Sequence, residues 1–142
     1  YHGPGQLVGY PVVHLRTYGI SVGEYVRSLE KVLILTLQEF GIRATKIPHG
    51  IGLWVNGEKI AFLGVRVRGG ITTHGFSLNV NNDLAPFQFI HPCGIHDMKV
   101  TSLAKILRET VDDTVIEASV VSNFIKVFGM EIAEKFQSLC AS

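Results

Sequence analysis

The sequence predicts an α+β (mixed α/β) fold in which an antiparallel-rich sheet packs against helices. Two short turns, Asn56-Gly57 and Gly69-Gly70, separate runs rich in Val, Ile and aromatic residues, a pattern typical of β-hairpins. Segments with apolar residues at three- and four-residue steps lie on both sides of these runs, which indicates amphipathic helices. We therefore expect three antiparallel strands around the two turns.

Composition narrows the class of protein. The 142 residues are 46% hydrophobic and 18% charged, which excludes a disordered chain and suits a single domain. The net charge of +1 is not concentrated in a basic run, so a nucleic-acid partner is not expected. The longest apolar stretch, residues 32–37, is far shorter than the roughly 20 residues that span a bilayer, so no membrane partner is expected either.

The chain opens with YHGPGQLVGYP, which predicts a loop. Gly3 and Gly5 flank Pro4 and allow a sharp turn and close approach to another group, while His2 and Gln6 supply polar side chains. Both a binding loop and plain turn chemistry fit this composition. Residues 11–15 then predict a short strand.

A long helix is predicted next. Ser21, with Glu24 three residues later, forms a capping-box pattern, and Gly41 is a C-terminal stop. The expected buried stripe consists of Val22, Tyr25, Val26, Leu29, Val32, Leu33, Thr36, Leu37 and Phe40.

The second turn fixes a strand register. If Gly69-Gly70 is a two-residue turn, Gly64 lies opposite Gly75, and Phe62 lies opposite Ser77 on the same face. Facing glycines leave a furrow, which fits a slim apolar ligand, a bulge or a closely packed helix. Valine, a good strand former, is expected to be tolerated at Gly75.

Two further helices are predicted after a loop broken by proline. Thr101 or Ser102 can cap a helix over residues 103–109. A last amphipathic helix is expected over residues 117–136. Its predicted buried stripe consists of Val120, Val121, Phe124, Val127, Phe128 and Ile132.

Cys93 is a candidate reactive thiol, because Pro92 and Gly94 flank it in that loop. It becomes a good nucleophile only if a cation or a general base lowers its pKa from about 8.5. The residues that could do so are Lys59, Lys99, His2, His74, His91 and His96. A buried, inert thiol is the alternative, and His14 and His49 are expected to be surface or capping residues.

A metal site is a weaker possibility for the same loop. His91, Cys93, His96 and Asp97 are ligand types, but their spacing does not match a standard zinc motif. Only one other cysteine, Cys140, is present, which is too few for a disulfide framework and favours a reducing compartment.

Three motifs together resemble one family. They are YHGPGQLVGYP, the block GEKIAFLGVRVRGGITTHGFSLNVNNDLAPF at residues 57–87, and HPCG with VTSL within residues 91–103. In this order they resemble the lipoyl(octanoyl) transferases, also called lipoate-protein ligase B, which share the biotin/lipoate protein ligase-like fold. The resemblance covers most of the chain.

The resemblance implies roles for specific residues. Cys93 would be the acyl-accepting nucleophile, and Lys59 the partner that lowers its pKa. No metal or other cofactor is implied. The implied substrate-binding residues are Tyr1, His2, Phe62, Leu63, Gly64, Gly75, Phe76 and Ser77.

The implied reaction transfers an octanoyl group from octanoyl-acyl carrier protein to a lysine of lipoyl domains through a cysteine thioester. The acceptors would be 2-oxoacid dehydrogenase complexes and the glycine cleavage H protein, in the cytoplasm of a bacterium or in mitochondria. An ATP-dependent lipoate or biotin ligase, or a silent module that binds lipoyl domains, are the alternatives. Because the family carries an Arg-Gly-Gly segment before the tyrosine, residues 1–142 are expected to be one catalytic domain truncated at its N-terminus.

Overall fold

The computed structural model describes residues 2–89 and 98–129. Within these residues the sheet comprises β1 (Gln6–Gly9), β2 (Leu53–Val55), β3 (Glu58–Arg68) and β4 (Ile71–Asn79), in the antiparallel order β1-β4-β3-β2. The helices are α1 (Leu15–Tyr18), α2 (Val22–Glu39), α3 (Leu103–Leu107) and α4 (Asp113–Phe128), with a 3₁₀ helix at Ala85–Gln88. The predicted α+β class is confirmed.

Both predicted hairpin turns are present. Asn56 and Gly57 have φ values of 50° and 81°, and Gly69 and Gly70 have 58° and 79°, the left-handed values that a type I′ turn requires. The second turn sets the predicted register, with Gly64 opposite Gly75 and Phe62 opposite Ser77. The turn chemistry therefore predicts the pairing of β3 with β4 correctly.

Helix α2 begins at the predicted capping box. The backbone N–H of Glu24 donates to the Ser21 hydroxyl at 3.1 Å, and the Ser21 N–H donates to the Glu24 carboxylate at 2.7 Å. Gly41, with φ of 75°, follows its end. Most of the predicted stripe is buried or half-buried, but Val22, the first residue of the helix, is 46% exposed.

The predicted strand over residues 11–15 is wrong. The residues that pair with β4 are those of β1, which ends at Gly9. Pro11 has no N–H to donate to a strand ladder. Residues 11–13 are irregular, and Leu15 already begins α1. Thr72 holds the irregular segment, because its hydroxyl accepts from the Val13 N–H at 2.8 Å and donates to the Pro11 carbonyl at 3.1 Å.

The last two helices differ from prediction at their ends. Ser102 caps α3, which ends at Leu107. Helix α4 begins four residues earlier than predicted, because Asp112 caps it through the Thr114 N–H, and ends at Phe128 because Gly129 adopts a left-handed conformation. Val121 is 55% exposed, whereas Val120 is buried. Ile132 lies outside the described residues.

One face of the sheet packs against α2, and α2 packs in turn against α4. The core includes Leu29 and Leu33 from α2, Ala61 from β3 and Leu78 from β4. Side chains alternate along a strand, so Phe62 and Gly64 lie on the opposite face, called here the outer face. Within residues 2–89 and 98–129, every helix is too short or too polar to cross a bilayer.

Candidate active site

A β-bulge brings Lys59 to the outer face. Strict alternation from Phe62 would place Lys59 on the helix side, three positions away. However, Trp54 pairs with Lys59 whereas Leu53 pairs with Ala61, so one step of β2 faces two steps of β3. Ile60 is the extra residue, and its side chain joins the core with that of Ala61. Lys59 therefore shares its face with Trp54 and Phe62.

The Lys59 side chain is buried among aromatic rings. Its exposed fraction is only 1%. The Nζ atom lies 4.6 Å from the centroid of the Phe62 ring and 5.0 Å from that of Trp54. Burying a lysine is costly unless other groups compensate for lost hydration, and aromatic faces attract ammonium ions. Lysine is almost never fully buried without a partner, so Lys59 is a candidate functional residue.

The backbone of Lys59 is joined to the segment that follows residues 90–97. The Lys59 N–H donates to the Lys99 carbonyl at 2.9 Å, and the Thr101 N–H donates to the Lys59 carbonyl at 2.9 Å. Thr101 is held in turn by the buried Asn79 side chain, which donates to its carbonyl at 3.0 Å. Residues 99–101 thus extend the sheet beside Lys59.

The same Asn79 side chain holds the first loop. Gln6 donates from Nε2 to Asn79 Oδ1 at 2.9 Å, and the Gly3 N–H donates to Gln6 Oε1 at 3.3 Å. A side chain at Gly5 would lie 2.8 Å from the backbone of Asn81, so glycine allows the loop to pack closely. His2 is exposed at the start of this loop. Hydrogen bonds therefore connect the predicted substrate loop to the strand that carries Lys59.

The two facing glycines have different surroundings. At Gly64, a Cβ atom would meet nothing within 4 Å, so the outer face is open there. At Gly75, a Cβ atom would collide with the carbonyl oxygen of Gly9 and lie 2.7 Å from Pro11 Cδ. Valine is not tolerated at Gly75, because the chain after β1 curls over it. The furrow is therefore open along Gly64 only.

The other predicted substrate-binding residues divide between the two faces. Phe62 and Ser77 are partners on the outer face, and the ring of Phe87 stacks on Phe62 at 5.6 Å. Leu63 and Phe76 are partners on the helix side. Their side chains therefore do not border the furrow. Tyr1 lies outside the described residues.

Cys93, the predicted nucleophile, also lies outside the described residues, together with the metal-ligand types His91, His96 and Asp97. Within the described part of the chain, no group of three His, Cys, Asp or Glu residues is arranged to hold a metal ion. A cavity of about 580 Å³ is bordered by the 3₁₀ helix at Ala85–Gln88 and by residues 98–100. Glu58 lines this cavity, where its carboxylate meets Lys105 Nζ at 3.5 Å.

Trp54 is a site residue that the sequence analysis missed. The Asn56-Gly57 turn contained the signal, because a two-residue turn pairs Val55 with Glu58 and Trp54 with Lys59. Gly52 and Asn79 were also missed, and no sequence pattern identifies either residue without the structure.

Comparison with known proteins identifies the family. Residues 1–125 match the model of the lipoyl protein ligase A/B catalytic domain. The chain belongs to this family. Lys59 and its neighbours lie within the matched residues, and the predicted family resemblance is confirmed.

Two similar curated proteins carry the same name. The chain is 47% identical over 135 residues to the octanoyltransferase of Alkaliphilus metalliredigens, covering 94% of this chain and 62% of that protein. It is 48% identical over 124 residues to the octanoyltransferase of Geobacter metallireducens, covering 87% of this chain and 58% of that protein. The chain thus spans less than two thirds of the length of these relatives.

Solved structures confirm the biotin/lipoate protein ligase-like fold. The biotin protein ligase of Aquifex aeolicus superposes with a TM-score of 0.69 at 15% identity, covering 88% of this chain and 53% of that one. A putative lipoate protein ligase from T. acidophilum gives 0.67 at 15% identity, covering 98% and 60%. At such low identity these likenesses establish the fold alone.

Proposed function

We propose that this protein is an octanoyltransferase that carries an octanoyl group from acyl carrier protein to a lysine of lipoyl domains, through a thioester on Cys93. The acceptors would be lipoyl domains of 2-oxoacid dehydrogenase complexes and the glycine cleavage H protein. The observation that carries the proposal is the buried Lys59 on the outer face of the sheet. The names of the relatives support the choice of acyl group.

The contacts of Lys59 with the residues on both sides of residues 90–97 support an interaction between its ammonium and the Cys93 thiol. Phe87 precedes that segment and stacks on Phe62, whose ring borders Lys59. Lys99 follows it and accepts a hydrogen bond from Lys59. Cys93 is six residues from each of these anchors, and six residues span at most about 22 Å. One anchor is hydrogen-bonded to the Lys59 backbone and the other stacks on a ring that borders its side chain, so this length of chain would let the thiol reach the ammonium.

In the first step, the Cys93 thiolate attacks the carbonyl carbon of the octanoyl thioester. A carbon–sulfur bond to Cys93 forms, and the bond to the sulfur of the carrier breaks. The departing carrier thiolate takes a proton from the Lys59 ammonium and leaves as a thiol. Before this step, the ammonium favours the thiolate form of Cys93 and so lowers its pKa.

In the second step, the amine of the acceptor lysine attacks the acyl-enzyme. An amide bond forms, the bond to Cys93 breaks, and the proton lost by the amine goes to the neutral Lys59. The ammonium and the thiolate are thereby restored. Since the thioester already activates the acyl group, the reaction requires neither ATP nor a metal ion.

The outer face supports a place for the acyl chain. Phe62 and Ser77 border the space next to Lys59, and Gly64 leaves the face open farther along β3. From Lys59 to Gly64 the strand advances by five residue steps, one of them at the bulge, which gives at most about 16 Å. The loop with His2 lies at the Asn79 end of β4, the same end as Lys59, and would complete the donor site with the backbone of Leu63 and Phe76.

Intact mass spectrometry tests this function. The protein is mixed with octanoyl-acyl carrier protein without ATP, and we expect a mass increase of one octanoyl group. Cys140→Ala is the matched control and should still form the adduct, whereas Cys93→Ala should not. Absence of an adduct would contradict the proposal, and labelling that appears only with ATP and free acid would indicate a ligase.

A further inference from the structure

Trp54 faces Lys59 across the first hairpin. The two-residue turn fixes them as direct partners, and the Lys59 ammonium lies 5.0 Å from the indole centroid. Trp54 is only 5% exposed, so the ring and the ammonium meet away from bulk water. Cation–π attraction is strongest with tryptophan and increases when the pair is desolvated.

Gly52 leaves the space into which the Lys59 side chain extends. A Cβ atom at this position would lie 2.7 Å from Lys59 Cε and 3.3 Å from Nζ. It would also lie 2.5 Å from the Ala61 carbonyl oxygen, and φ at Gly52 is +129°, where other residues are strained. Any larger residue would therefore displace the lysine or the bulged strand.

We propose that Trp54 is a positioning residue that holds the Lys59 ammonium in the active site, in the space left by Gly52. This inference rests on the proposed function, since it assigns Trp54 to the lysine that acts with Cys93. An aromatic face suits a lysine that exchanges a proton in each half-reaction, because it attracts the ammonium without accepting its proton. A carboxylate in the same position would compete for that proton.

Two substitutions of similar size separate this role from simple packing. Trp54→Phe keeps an aromatic face toward Lys59, and Trp54→Leu removes it. The readout is the pH profile of Cys93 alkylation by iodoacetamide, followed by mass. With Leu, the midpoint should rise by roughly 0.4 to 1.5 pH units, toward that of Lys59→Met, with a threefold to thirtyfold loss of rate at neutral pH. With Phe, most of the shift should be absent.

The controls distinguish failure of the inference from failure of the function. Ile116→Ala, in the helix layer, should lower stability without moving the midpoint. If Lys59→Met shifts the midpoint but Trp54→Leu and Trp54→Phe have the same midpoint, the inference is overturned and the proposed function stands. If Lys59→Met has no effect on the midpoint, the assigned role of Lys59 fails as well.

A second readout leaves Trp54 in place. It is the only tryptophan of the chain, so the emission spectrum reports on its surroundings. Lys59→Met should shift the emission maximum, because a charge beside the indole is removed, while Lys105→Met should leave it unchanged. Identical spectra for wild type and Lys59→Met would mean that the ammonium does not lie against the ring in solution, and would overturn the inference.

Discussion

Replacing Lys59 with methionine removes the charge with little change in the shape of the side chain. In Lys59→Met, the apolar stem still packs against Trp54 and Phe62. Because the ammonium is lost, we expect the pH at which Cys93 becomes reactive to rise. Octanoyl transfer should fall by roughly two to four orders of magnitude, the usual range for a proton-transfer group. The measurements are alkylation profiles and single-turnover rates.

Lys99→Met is the matched control for this substitution. Lys99 is exposed and follows the same undescribed segment, so it carries a comparable charge without burial. Its removal should leave the pH profile nearly unchanged. If the pH profile moves with Lys99→Met and not with Lys59→Met, Lys99 activates the thiol and the role proposed for Lys59 is wrong.

Gly64 tests where the acyl chain lies. Valine at this position fits the strand and projects into open space on the outer face. If it blocks the last three or four carbons, octanoyl binding should weaken by roughly 2.5 to 3 kcal/mol, about a hundredfold. Butanoyl transfer should suffer much less. Acyl-enzyme formation with four-, six- and eight-carbon carrier proteins measures this preference.

Gly75 serves as the contrast on the neighbouring strand. Gly75→Val should lower the stability of the protein, because its side chain would collide with the Gly9 carbonyl. Transfer of acyl chains of every length should therefore decrease. Equal loss for all chain lengths in a folded Gly64→Val protein would mean that the acyl chain does not lie along this face.

At the scale of single elements, the capping box of α2 gives a stability prediction. Ser21→Ala removes the hydroxyl that accepts the Glu24 N–H and should cost about 0.5 to 2 kcal/mol of unfolding free energy. Ser122→Ala, at an exposed position within α4, should cost nothing, because alanine is the better helix former. Urea denaturation compares the two, and equal effects would refute the capping role.

The elements that sequence predicts well are those fixed by local chemistry. Ser21 and Glu24 define the start of α2, and Gly69 and Gly70 fix the register of β3 with β4. Strand β1 was missed, because its two glycine-rich ends look like loop and it is held by Asn79 far along the chain. Such long-range contacts leave no local pattern.

The candidate site was less predictable than the hairpins. The roles of Lys59 and Cys93 followed from resemblance to a family, since several lysines and histidines could have served the thiol. Burial of Lys59 depends on a bulge at Ile60, and a bulge is not visible in an alternating pattern of residues. The unequal surroundings of Gly64 and Gly75 likewise depend on how the edge of the sheet curls.

Across the whole molecule, polar side chains join α2 to α4 where the two helices pack against each other. The Asn123 amide donates to Glu39 Oε1 at 3.0 Å and to Thr36 Oγ1 at 3.1 Å. The Ser119 hydroxyl also donates to Glu39. These hydrogen bonds, from Ser119 first and then from Asn123, lower the pKa of Glu39 below 4.5. The two helices are therefore joined more strongly when this carboxylate is ionised.

Three carboxylates together predict acid sensitivity. The pKa values of Glu24, Glu39 and Asp112 are all lowered in the folded protein, by hydrogen bonds first from Ser21, Ser119 and Thr114, respectively. A lowered folded pKa adds stability above the unfolded value, and that stability is lost as pH falls through the folded value. The melting temperature should therefore be steady near neutral pH and decrease below about pH 4.5.

Glu39→Gln checks one part of this acid sensitivity. The variant should have a lower melting temperature at neutral pH and a smaller decrease in acid than wild type. Because all three carboxylates are exposed at the surface, each effect should be modest. A melting temperature that increases on acidification would contradict the assignment.

The bulge at Ile60 also has a consequence for insertions and deletions. The Asn56-Gly57 turn sets the pairs before the bulge, the Gly69-Gly70 turn sets those after it, and Ile60 absorbs the difference. Deleting Ile60 should leave a regular ladder with Lys59 still beside Trp54, at the cost of one buried side chain. Deleting Val65 should instead move β3 residues to the wrong face. A deletion in this strand would then preserve the face of Lys59 at one position, at some cost in stability, and reverse it five residues away. Acyl-enzyme formation by the two deletion variants can measure this difference.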